Sequence, residues 1–200
     1  MARRAARPHA PRPFGVADAL VLVGAFAAGL AVVRFTKSTF PWGGWLREVF
    51  FPSGGDTSWL GRMQRARQLA QAWFPCYGVA TVAVLGLRLR RPRPSWPRLC
   101  RQPGFAAGLA ASLALAFWMA EAVAHVGYDP PWTRLGWASF VETYLDEMPT
   151  SAGYAVAGAW VLLVSSRRWR AEGGWLDRSG RILGAGWLVS LAVEVAFRVF

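Results

Sequence analysis

Residues 104–125 read GFAAGLAASLALAFWMAEAVAH, and this stretch decides the fold. It carries no charge before Glu121. At 1.5 Å of rise per residue it reaches across about 30 Å of hydrocarbon. A helix of a soluble protein shows one apolar stripe, whereas this one is apolar on all sides. In lipid every backbone polar group must be satisfied within the segment, which makes a helix the fitting conformation for such a run.

Working outward, similar blocks occupy 14–33, 69–89, 150–165 and 182–200. Apolar residues make up 54% of the 200-residue chain, and mean hydropathy is +0.24. The pattern predicts an all-α fold, a polytopic transmembrane helical bundle of about five spans plus two interfacial amphipathic helices. Residues 14–200 form a single integral membrane helical domain behind a basic tail, 1–13. That tail, MARRAARPHAPRP, is broken by proline and cannot bury anything; disorder or contact with headgroups is expected. Block 14–33 exceeds the apolar core of a signal peptide and is followed by Arg34 and Lys37, so an uncleaved first span is expected.

The connectors set the topology. Net charge is +12, and Lys37 is the only lysine among 23 basic residues. The arginines cluster between apolar blocks, as in RLRRPRPSWPRLCR over 88–101 and again over 166–181. This is the distribution of cytoplasmic loops beside anionic headgroups, and it excludes nucleic acid as the expected partner. The 126–149 connector is acidic, with Asp129, Glu142, Asp146 and Glu147 against Arg134. A cell-membrane protein with a cytoplasmic N-terminus and an outside C-terminus follows. The basic 34–68 connector fits this arrangement least well.

Two connectors carry aromatic, amphipathic pieces. FPWGGWLREVFF over 40–51 places Trp42 and Trp45 at the headgroup level. WTRLGWASFVETYLDEM over 132–148 repeats apolar residues at helical spacing. Each predicts an interfacial helix. A cap at Asp56, Thr57 or Ser58 starts a polar helix with Arg62, Arg65 and Arg67 that runs into the second span, where Pro75 predicts a kink. The prolines of 88–101 favour extended backbone. The order of span, tryptophan-rich piece and arginine-ended span occurs twice, an echo of the parallel repeats found in transporters.

Reaction motifs are missing. The chain has no GxSxG, HExxH or Walker A sequence. Its two histidines, one of them in the tail, exclude a histidine-rich metal site, and no cofactor or metal is expected. Cys76 and Cys100 have no metal-ligand spacing. The candidate polar site is a layer at the outer helix ends: Arg34, Glu121, His125, Glu194 and Arg198. Glu121 and His125 lie one turn apart, as do Glu194 and Arg198 in the favourable acid-first order. One reading of the layer is a proton relay or ion site. The other is helix registration, with Arg34 on Glu121 and Glu194 on Arg198. Gly104, Gly108 and Ser112 form a small-residue packing face.

These features predict a non-enzymatic membrane subunit or scaffold. Its partners would be the bilayer's anionic headgroups and a membrane protein or a second copy of the chain. A small transporter or channel-like protein using Glu121, His125 and Glu194 is the first alternative. A membrane enzyme acting on lipid headgroups is the second.

Overall fold

A computed structural model describes residues 14–39, 59–91, 94–126 and 134–199. The 1–13 tail and the 40–51 piece lie outside the described residues. Among the described residues six helices follow in order: α1 (Val16–Thr39), α2 (Trp59–Leu89), α3 (Trp96–Leu99), α4 (Pro103–Val126), α5 (Arg134–Ser165) and α6 (Trp175–Val199). No strand occurs among the described residues.

Among the described residues four helices contain segments long and apolar enough to cross a membrane: Val16–Arg34, Pro103–Ala124, Glu147–Ser165 and Trp175–Val199. A shorter apolar stretch, Trp73–Leu89, ends α2. The surface these helices present is greasy. Leu20, Phe117, Leu162 and Val189 are each more than half exposed, at 67%, 61%, 69% and 63%. A soluble domain does not leave so broad an apolar band in water. The chain is a helical membrane bundle.

Helices α2, α4, α5 and α6 pack on one another, and α6 touches each of the other three. α1 lies along α2 and makes its substantial contact there alone. Because lipid is as apolar as a leucine side chain, close packing rather than water exclusion must hold these helices together. The core accordingly combines small residues with a few large rings: Ala107, Ala111, Ala152 and Val156 against Trp187 and Phe74. At the start of α4 the backbones of α4 and α6 touch. A Cβ on Gly180 would lie 2.5 Å from the Gly104 carbonyl oxygen, and one on Gly104 would strike Asp177. Gly29 does the same for α1, where a Cβ would stand 2.6 Å from the Cys76 Cα.

Both long amphipathic-to-apolar transitions are continuous. The polar Arg62–Arg65–Arg67 segment runs into the apolar half of α2 as one helix of 31 residues, through Pro75. Beside that proline, Cys76 fills the contact with Gly29, and Tyr77 packs against Gly186 and Trp187. The 134–148 piece is helical as its spacing predicted, but it does not stand apart from the following span. α5 continues through the buried Pro149 for 32 residues. The 88–101 connector is less extended than its prolines predicted. Ser95 precedes a helical turn, Trp96–Leu99, with a proline in its first positions, where the missing N–H costs nothing.

The end of α5 is unusual. Arg167 N–H donates to the Val164 carbonyl and Arg168 N–H to the Leu163 carbonyl, the paired bonds of a Schellman cap. The left-handed residue of that cap is Arg167, with φ 53°, where glycine is the common choice.

Candidate functional site

The two arginine-rich connectors meet at one end of the bundle. Arg170 N–H donates to the Arg101 carbonyl at 2.9 Å, and Arg98 pairs with Glu172 at 2.8 Å. The N-terminus of α1 reaches the same end, where Phe14 packs edge-on against Trp175 at 4.8 Å.

Just beneath lies a buried polar cluster that joins α2, α4 and α6. Its centre is Asp177, fully buried in the first turn of α6. One carboxylate oxygen accepts from Gly104 N–H at 3.1 Å, and so caps the start of α4 from a different helix. The other accepts from Glu172 N–H at 3.0 Å. Arg88 comes from the end of α2 to within 3.7 Å, and Arg181 from one turn along α6 to within 3.3 Å. The Arg88 guanidinium also donates to the side-chain oxygen of the fully buried Gln102. Trp160 closes the group by donating to the Pro103 carbonyl at 3.0 Å.

The cluster is incompletely satisfied. Arg88 Nε and Gln102 Nε2 are buried donors without an acceptor. Beside Arg88, a narrow crevice runs between Thr81 and Leu85 on α2, Gly108 on α4, and Gly184 and Trp187 on α6. It has room for about one water molecule. At its far side Trp187 Nε1 donates to the Thr81 hydroxyl at 3.1 Å, and that hydroxyl donates to the Tyr77 carbonyl at 2.7 Å.

The polar layer read from the sequence occupies the opposite end, and the structure distributes it. Glu194 and Arg198 pair at 3.0 Å, at the spacing that suggested it. Glu194 is buried, and its main partner is Arg67 of α2, through contacts of 2.7 and 3.2 Å. The Arg67 guanidinium also sits 4.7 Å from the Phe197 ring centroid. Glu121 is half-buried on α4, and Arg34 is exposed on α1, which lies along α2 rather than α4. His125 falls in the last turn of α4, and its side chain lies outside the described residues.

Gly104, Gly108 and Ser112 have three different surroundings. Gly104 is locked against α6; a Cβ on Gly108 would make only ordinary contact with Leu85, at 3.9 Å; the Ser112 hydroxyl is buried without a hydrogen-bond partner. Asp177, Arg88, Gln102 and Arg67 escaped sequence reading because their partners are remote in the chain. Asp177 and Arg181 did offer one signal, an acid-first pair four residues apart within an arginine-rich connector.

Chemically, the Asp177 cluster neutralises and anchors. Its carboxylate accepts one hydrogen bond from each of two backbone donors and lies between two guanidinium groups, so its charge is matched within the bundle. No group of three metal-ligating side chains occurs among the described residues. No family model matches the chain, and neither a curated protein nor a solved structure matches it.

Proposed function

We propose that this chain is a non-enzymatic subunit or scaffold of the cell membrane, with its arginine-bearing end and N-terminus in the cytoplasm and its C-terminus outside. The observation that carries the reading is the position of α1. Among the described residues this helix makes its substantial contact with α2, and residues on its other faces, including Gly24, Ala28 and Ala31, are exposed. A Cβ at Gly24 would meet nothing within 4 Å. Gly104, by contrast, is consumed by packing inside the bundle, which leaves α1 as the helix best placed to meet a membrane-protein partner or a second copy of the chain. The Asp177 and Glu194 clusters support the same reading, because both tie helices together through committed charges.

Glu194 is held by two guanidinium groups, which favours registration over ion movement as its role. The test is association in nanodiscs or mild detergent. Gly24→Leu is expected to release a co-purifying partner, or to lower the oligomeric state, while leaving the unfolding temperature unchanged. Unaltered association in Gly24→Leu would sink the reading. So would ion flux in proteoliposomes, or turnover of a lipid headgroup, that Glu121→Gln abolishes.

A further inference from the structure

The geometry points to a binding site for an anionic lipid headgroup on the turn that follows α5, formed by Arg167, Arg168 and Arg170 with Arg101 from the neighbouring connector. The inference rests on the membrane reading above and names the lipid chemistry that the arginine-bearing end would select.

The observations are independent of one another. All four arginines are exposed, and none has a carboxylate within ion-pair distance among the described residues. The acids nearest in the chain are already taken, Glu172 by Arg98 and Asp177 by Arg88 and Arg181. Uncompensated guanidinium groups are therefore gathered on two segments that the Arg170–Arg101 backbone bond holds side by side. Their planar donors match phosphate oxygens.

Arg167 supplies the second observation. It occupies the left-handed position of the Schellman cap at φ 53°, a conformation that disfavours any residue with a Cβ. Glycine would close that cap with less strain, so an exposed arginine stands there against the preference of its backbone.

A lipid, rather than a free anion, is indicated by Trp169. It stands among these arginines, 38% exposed and packed edge-on against Trp160 at 5.6 Å. Tryptophan in that setting marks the depth where headgroups meet acyl chains.

The full-length chain in neutral detergent, titrated with phosphatidylglycerol and separately with phosphatidylcholine, tests this by lipid occupancy in native mass spectrometry. Wild-type protein is expected to prefer phosphatidylglycerol. The preference should fall roughly fivefold for each arginine removed across R101Q, R168Q and R170Q, as for basic groups at an anionic surface. R62Q, at the opposite end, should leave it unchanged. R167G should weaken phosphatidylglycerol binding while holding or raising the unfolding temperature in neutral detergent.

A triple variant with wild-type lipid preference overturns the site. So does equal loss from R62Q, and so does a fall in the unfolding temperature of R167G without lipid, which would make Arg167 a holder of the fold. Because occupancy is read on the isolated chain, these outcomes do not depend on whether a protein partner exists.

Discussion

Asp177 shows how much one side chain decides at the residue scale. Its carboxylate is the counter-charge for a buried arginine and the cap of a neighbouring helix. Asp177→Asn keeps the shape but removes the charge, leaving Arg88 buried and unpaired. The expected cost is about 3 kcal/mol, on the scale for breaking one half of a buried ion pair. Reversible unfolding in mixed micelles measures it, and a change near zero would show that Gln102 alone suffices for Arg88. The strained turn gives the opposite sign. Arg167→Gly is expected to stabilise the folded state by up to about 1 kcal/mol, because the left-handed penalty disappears while the unfolded chain gains some freedom.

Glycines set the spacing of the elements, and the small-residue face at Gly104, Gly108 and Ser112 supplies only one of these close contacts. Of the Gly104 and Gly108 pair, only the first holds two backbones in contact. Gly104→Val is expected to push α4 and α6 apart and to break the Asp177 cap, seen as loss of the folded population in fluorescence-detected size exclusion. Gly108→Ala should be tolerated, since a Cβ there meets Leu85 at 3.9 Å. Equal behaviour of the two variants would contradict the packing described. The pattern in the sequence recorded that small residues were present at helical spacing. Which of them meets a backbone depends on where α6 lies, and Gly180 is 76 residues away by numbering, 180 − 104.

For the whole molecule, the pair of native cysteines offers a test of orientation. Cys76 is buried and Cys100 is exposed at the arginine-bearing end. A membrane-impermeant maleimide is expected to label Cys100 in inverted vesicles and to spare it in right-side-out cells, while Cys76 stays unmodified in both. Labelling from outside would reverse the proposed orientation without altering the bundle. The contact between the 88–101 and 166–181 connectors places their arginines at one end whichever way the chain is inserted.

Composition and periodicity alone determined that the chain is an all-helical membrane bundle, because runs of apolar residues long enough to cross hydrocarbon have few other ways to satisfy their backbone. Local spacing was enough for the Glu194–Arg198 pair and for the polar start of α2, since both are contacts along a single helix. Tertiary structure alone decided that Arg67 holds Glu194 and that Asp177 binds α2, α4 and α6 together. Those partners are separated by 127 residues in one case and by 73 between Gly104 and Asp177 in the other. Charge pairing across such distances leaves no periodic trace in a sequence, because any arginine within reach could serve, and only the packing of the helices determines which one is.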